Sequence, residues 1–250
     1  LLTFTRRAAQ EMLRRAAGLL DARCEKVSGG TFHSFANLVL RQYAPLLGFE
    51  SSFSILDQSD AEDVLNLLRT QMRLDTRERR FPRKQTLLDI ISKSVNTVRS
   101  LRETLHDEYP HFEDHLEDIL KLQHAYERYK ASHNLMDYDD LLLNLKRLLV
   151  EKQEIHDIYA EQFQHILVDE YQDTNVVQYL WLRLLAQGSP NIACVGDERL
   201  KSPEQLAVGA GVGLLGGTAA GSLESQRVER RAGEPLGLRP QFCPGTRARS

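Results

Sequence analysis

The run His-Ile-Leu-Val-Asp-Glu at positions 165–170 constrains the fold of this chain more tightly than any other stretch. Its apolar part is too short for a helix and suits a strand buried on both faces, the kind found in a parallel sheet covered by helices. Asp169 and Glu170 then stand where that strand ends. In open α/β sheets ligands gather at the carboxyl ends of strands, where one carboxylate can hold Mg²⁺ while its neighbour polarises a water. A strand running into an acidic turn accounts for the same residues equally well, so the surrounding sequence has to decide.

Downstream, Thr174 is the expected helix cap, and Val177, Leu180, Trp181, Leu184 and Leu185 fall at helical spacing before Gly188 and Pro190 stop the helix. Residues 192–195 read as a second apolar strand, ended by Gly196 and Asp197. Strand, Asp-Glu, helix, strand, Gly-Asp is a right-handed crossover between parallel strands with acidic residues at both carboxyl ends, which suits a nucleotide and its metal.

Upstream the pattern recurs. Residues 1–4 read as the end of a strand, with Thr5 capping a helix whose apolar face is Ala9, Met12, Leu13, Ala16 and Leu20. Arg6, Arg7, Arg14 and Arg15 lie on its other face, either as a phosphate-contacting corner or as an ordinary solvated basic surface. Residues 27–32 read as another short strand interrupted by Gly29 and Gly30, and Ser34 is the expected cap of a helix built on Phe35, Leu38, Val39 and Tyr43. Thr31, Phe32, His33 and Ser34 offer a ring, an imidazole and two hydroxyls at a strand-to-helix turn, which would suit a single nucleic-acid strand. A lone Phe and His are more often packing residues.

From residue 56 to about 134 the strand signal gives way to helical stripes, the first preceded by a capping box of Ser59 and Glu62. Within this stretch, positions 69–84 carry seven basic residues against Asp75 and Glu78, either a nucleic-acid contact or a solvated connection. Asp137 caps the next helix, built on Leu141, Leu142, Leu145, Leu148 and Leu149, with Asp139 and Asp140 complementing its dipole.

The chain has 250 residues, enough for a substantial core, and a net charge of -3 that neither favours nor excludes a nucleic-acid partner. Its three cysteines are odd in number and widely spaced, which argues against a disulfide framework or a paired-cysteine metal site and points to a reducing, cytoplasmic setting. No apolar run approaches membrane-spanning length. A chain that opens without Met inside a strand is expected to be a fragment. Beyond position 201 lie nine of the fifteen glycines and four of the eight prolines, with Phe242 the only aromatic residue, so residues 201–250 are expected to be a non-homologous or disordered tail. Within that tail Gly211, Gly213 and Gly216 imitate a dinucleotide fingerprint, and Gly217 stands where a P-loop needs its Lys. Neither reading survives, because no amphipathic helix follows.

Five segments in order carry a specific resemblance: Leu-Thr-Phe-Thr-Arg-Arg-Ala-Ala-Gln-Glu-Met at 2–12, Gly-Thr-Phe-His-Ser-Phe at 30–35, Met-Asp-Tyr-Asp-Asp-Leu at 136–141, Val-Asp-Glu-Tyr-Gln-Asp-Thr-Asn at 168–175 and Val-Gly-Asp at 195–197. Together they resemble the N-terminal part of the UvrD/Rep/PcrA group of superfamily 1 DNA helicases, over residues 1–199. The resemblance implies an α/β fold, a partial RecA-like P-loop NTPase domain with a parallel sheet. Domain 1A would comprise residues 1–55 and 137–200, interrupted by an all-helical 1B insertion at 56–136.

It further implies ATP and Mg²⁺ as cofactors and, as partner, single-stranded DNA or a duplex with a 3′ single-stranded tail, with hydrolysis coupled to 3′ to 5′ movement. Asp169 would hold Mg²⁺, Glu170 would activate the attacking water, and Gln172 would lie near the γ-phosphate, with Gly196 and Asp197 also bordering the nucleotide. Phe4, Thr5, Arg6, Thr31, Phe32, His33 and Ser34 would contact DNA. The family's P-loop Lys is expected upstream of Leu1. Its Gln-Ser-Ile-Tyr continuation after Gly-Asp is replaced by Glu198-Arg199-Leu200-Lys201-Ser202, as a shifted reading frame would produce. The 250-residue chain alone is therefore expected to be inactive in ATP hydrolysis. The competing expectations are a non-catalytic DNA-binding fragment and the helicase part of a helicase-nuclease.

Overall fold

Four short strands run in the same direction and form one sheet in the computed structural model, which describes residues 1–20, 27–74, 81–186 and 191–196. They are β1 (Leu2–Thr3), β2 (Gly30–Thr31), β5 (Ile166–Val168) and β6 (Ile192–Cys194), in the order β2-β1-β5-β6. Leu2 registers with Gly30 on one side and Val168 on the other, while Ile166, Leu167 and Val168 register with Ile192, Ala193 and Cys194. Every neighbouring pair is parallel, so all four carboxyl ends meet at one edge.

The connections between parallel strands require crossovers, and helices supply them. Helix α1 (Arg6–Leu20) follows β1, and α2 (Phe32–Tyr43) follows β2 directly. The cap of α2 is Thr31 rather than Ser34: the Thr31 hydroxyl accepts from the Ser34 amide at 3.1 Å, and the Ser34 hydroxyl accepts from the Thr31 amide at 2.8 Å. Gly30 permits this reciprocal cap, since a Cβ there would sit 2.8 Å from the Ser34 hydroxyl. The helix consequently begins three residues earlier than a Ser34 cap allows, at Phe32 rather than Phe35. Phe32 falls inside it, with Ala36, Val39 and Leu40 buried on the same face.

Helices α7 (Tyr138–Glu151), α8 (Gln153–Gln162) and α9 (Val176–Ala186) complete this part. Asp137 caps α7 as the sequence predicts, and the leucines at 141, 142, 145, 148 and 149 are all buried. They join Phe32, Val39, Leu40, Ile166, Val168, Val177, Trp181 and Leu185 in one core. Trp181 is fully buried, stacked on Phe35 with ring centroids 5.6 Å apart and edge-on to Phe32 at 5.5 Å. Leu38, placed on the apolar stripe by periodicity, is 64% exposed.

A second, two-stranded parallel pair joins β3 (Ser54–Ile55) to β4 (Leu135–Met136). Between these strands the described residues are helices and turns: α3 (Gln58–Gln71), α4 (Lys84–Thr97), α5 (Leu101–Glu108) and α6 (Leu116–Ser132), with a 3-10 turn at Pro110–His115. Asp57, not Ser59, caps α3 by accepting from the Asp60 amide at 2.9 Å. These helices close over their own core, in which Leu65, Leu87, Ile90, Leu105, Ile119, Leu122 and Tyr126 are almost wholly buried. Among the described residues no helix is long and apolar enough to cross a membrane.

Candidate functional site

The loops leaving the four carboxyl ends bring the candidate residues of the main sheet to one edge. Phe4, Thr5 and Arg6 follow β1; Phe32 and His33 follow β2; Asp169 and Glu170 follow β5; Val195 and Gly196 follow β6. The acidic turn is held by backbone hydrogen bonds to both neighbours. The Asp169 amide donates to Leu2 O at 2.9 Å, and the Tyr171 amide to Val195 O at 2.9 Å. Glu170, between them, has a left-handed backbone with φ 53°. A residue with a side chain adopts that region at a cost of about 1–2 kcal/mol, so the turn is held there by its neighbours. Its amide ladder continues through Asp173 N to Glu170 O at 3.0 Å and Thr174 N to Tyr171 O at 3.1 Å.

The Glu170 carboxylate is on the exposed side of this turn, and the Gln172 side-chain amide donates to its Oε2 at 2.5 Å. Gln172 Oε1 in turn faces Gly196: a Cβ at Gly196 would lie 2.5 Å from it. Glycine at this position lets the end of β6 approach the acidic turn without displacing the glutamine amide. Asp169 is half-buried at the sheet edge and offers hard carboxylate oxygens. That donor suits Mg²⁺, which takes one or two carboxylates and fills its remaining positions with water and phosphate oxygens.

Residues 1–199 match the UvrD/REP helicase N-terminal domain. The chain belongs to this family. A probable DNA helicase II homolog from Rickettsia felis is 36% identical over 204 residues, covering 79% of this chain and 29% of the relative. DNA helicase II from Rickettsia typhi is 34% identical over 203 residues, covering 79% and 29%. The ATP-dependent DNA helicase PcrA from Staphylococcus aureus is 31% identical over 196 residues, covering 78% and 26%. The chain thus spans less than a third of the length of these relatives. Its parallel sheet with flanking helices is the RecA-like architecture of the UvrD/REP helicases.

On this UvrD/REP scaffold the residues expected to contact DNA divide by burial. Thr5 and Arg6 are exposed, and the Thr5 hydroxyl caps α1 by accepting from the Ala8 amide at 3.1 Å. Phe4 is half-buried with its ring 5.5 Å from that of Phe32. Phe32 itself is only 1% exposed, between Phe4 and Trp181, and is a core side chain with no face free to stack on a base. Thr31 is 8% exposed and, like Ser34, spends its hydroxyl on the cap of α2. His33 remains at the surface of the turn, and burial pushes its imidazole pKa below the usual value.

Tyr138 is the residue that sequence reasoning missed. Its ring meets His33 edge-on with centroids 5.6 Å apart and is 48% exposed. The flanking aspartates drew attention to helix capping, and nothing in the sequence pairs positions 33 and 138; the contact arises because α7 packs against α2. Of the basic run at 69–84, Arg69 donates to Pro82 O and Asn66 Oδ1, and Lys84 bonds Asp63 Oδ1 at 2.6 Å, so these two ends are held internally. Residues 75–80, Asp197 and the tail with Gly211, Gly213, Gly216 and Gly217 lie outside the described residues.

Proposed function

We propose that this chain is the N-terminal part of an ATP-dependent DNA helicase that couples ATP hydrolysis to 3′ to 5′ movement along single-stranded DNA or a duplex with a 3′ single-stranded tail. The observation that carries this reading is the shared sheet edge, where an acidic turn and an exposed basic and aromatic surface leave adjacent parallel strands. On this reading residues 1–55 and 137–200 make domain 1A and residues 56–136 the helical 1B insertion. The two hydrophobic cores and the β3–β4 pair between them support that division.

ATP with Mg²⁺ supplies the phosphoanhydride that is cleaved. Asp169 would hold the metal through its carboxylate. Glu170 would accept the proton of the attacking water on its own carboxylate, which the Gln172 amide steadies from one side. Gly196 and Asp197 would border the nucleotide, Gly196 by leaving room for the Gln172 side chain.

Phe4, Thr5, Arg6 and His33, joined by Tyr138, would form the strand-contacting surface, with Thr31, Phe32 and Ser34 supporting it from behind. With its pKa lowered, His33 is a neutral imidazole at pH 7, so it would act by stacking and hydrogen bonding rather than by charge. In the protein carrying this chain at its full natural length, Glu170→Gln is expected to lower DNA-stimulated kcat by at least roughly 100-fold while single-strand binding is retained. Undiminished turnover would overturn the role given to Glu170.

A further inference from the structure

The acidic turn is anchored by the sheet at one end; its other end runs into Asn175, at the start of α9. Asn175 forms a reciprocal cap there: its Oδ1 accepts from the Gln178 amide at 2.8 Å, and its own amide donates to Gln178 Oε1 at 3.0 Å. A backbone N–H can only donate, so this bond fixes which end of the Asn175 side chain is oxygen. The remaining end, Nδ2, donates to Asn96 Oδ1 at 2.7 Å. That fixes the Asn96 amide as well, and its Nδ2 donates to Asp139 Oδ1 at 2.7 Å and to Ser92 O at 3.0 Å. Three side chains separated by 43 and 79 positions therefore form one chain of bonds whose direction is set throughout.

Each member belongs to a different element. Asn96 is in the last turn of α4, whose Leu87, Ile90 and Ile91 pack in the core of the helical segment. Asp139 is in the first turn of α7, next to Tyr138, whose ring meets His33. Asn175 follows the acidic turn directly. We propose that Asn96 is a positioning residue: by joining Asp139 to Asn175 it ties the helical segment and the start of α7 to the far end of the turn that carries Glu170. A shift of α4 relative to α7 would then be felt as a shift of that turn. The catalytic meaning of this coupling rests on the role proposed above for Asp169 and Glu170; the mechanical coupling does not.

The test is amide hydrogen exchange of the 250-residue chain, read by mass spectrometry over residues 171–178 and, as internal reference, residues 141–149 of α7. Asn96→Asp sets a second carboxylate against Asp139 while leaving an acceptor for Asn175. It is expected to speed exchange at 171–178 roughly tenfold with the reference unchanged. Combining it with Asp139→Asn lets the new amide at 139 donate to the carboxylate at 96, leaving only the bond to Ser92 O unmade, and is expected to reverse most of the acceleration. Asp139→Asn alone keeps an oxygen for the Asn96 amide and is expected to change little.

Unchanged exchange in Asn96→Asp would overturn the proposal. So would acceleration shared equally by residues 141–149, or acceleration that the paired substitution fails to reverse. Because no nucleotide enters the measurement, its failure leaves the reading of Glu170 intact, and a failure of that reading leaves this coupling intact.

Discussion

Lys130 lies between two carboxylates where the helical segment returns to the sheet, its Nζ 2.6 Å from both Asp137 Oδ2 and Asp140 Oδ2. The Tyr126 hydroxyl also donates to Asp137 Oδ2, at 2.9 Å. Burial pushes both carboxyls up, but the lysine and its hydrogen bonds hold Asp137 below its usual value. Asp140, buried beside a charged Asp137, is raised to about 6. A carboxyl whose folded pKa is raised stabilises the fold fully below its unfolded pKa, and that contribution is lost as pH rises towards 6. Asp140→Asn removes the titration and keeps an oxygen for the Asp137 amide. Urea unfolding at pH 5 and pH 7 is expected to show a fall in stability for the parent that is smaller in the variant by roughly 1 kcal/mol. The same fall in both would contradict this assignment. At this scale the sequence revealed Asp137 as a cap from its position before a leucine stripe. The partnership with Lys130 was not legible, because it depends on how far α6 runs before the chain turns back.

The elements follow from periodicity where a face is long and uniformly apolar. The leucines of α7 are such a face, and so are Val177, Trp181 and Leu185 of α9. Boundaries were less legible, because several side chains compete for each cap and local geometry chooses among them. Asp57 displaces Ser59, Thr31 displaces Ser34, and Asn175 displaces Thr174, which instead ends the 3-10 turn at Tyr171–Asp173. The shift at Thr31 matters for function, since it draws Phe32 into the helix and under Trp181. Trp181→Ala would empty the space between Phe32 and Phe35 and is expected to cost about 3–5 kcal/mol, read as a lower midpoint in urea unfolding. A loss below roughly 1 kcal/mol would mean that these rings do not hold α9 against α2.

Over the whole molecule, the order of strand, helix and acidic turn in the sequence was enough to predict a parallel sheet interrupted by a helical segment. Helices α3 to α6 show why: their apolar side chains close on one another, with no strand among the described residues between β3 and β4. The β3–β4 pair that joins the ends of this segment was invisible, since two-residue strands carry no periodicity. The candidate site was legible at Asp169, Glu170, Arg6 and His33, which stand at strand ends. Tyr138 was not, because it reaches His33 only through helix packing.

On the function proposed above, this sheet edge would bind a single strand beside, and separably from, the acidic turn. Fluorescence anisotropy of a labelled single-stranded oligonucleotide titrated with the 250-residue chain at several salt concentrations tests it most directly. Salt-sensitive binding is expected, weaker by roughly tenfold in His33→Ala and in Tyr138→Ala through lost stacking. Arg6→Ala should lower the salt slope by about 0.7, and Glu170→Gln should bind as the parent does. Binding that is absent, or indifferent to His33, Tyr138 and Arg6, would contradict it.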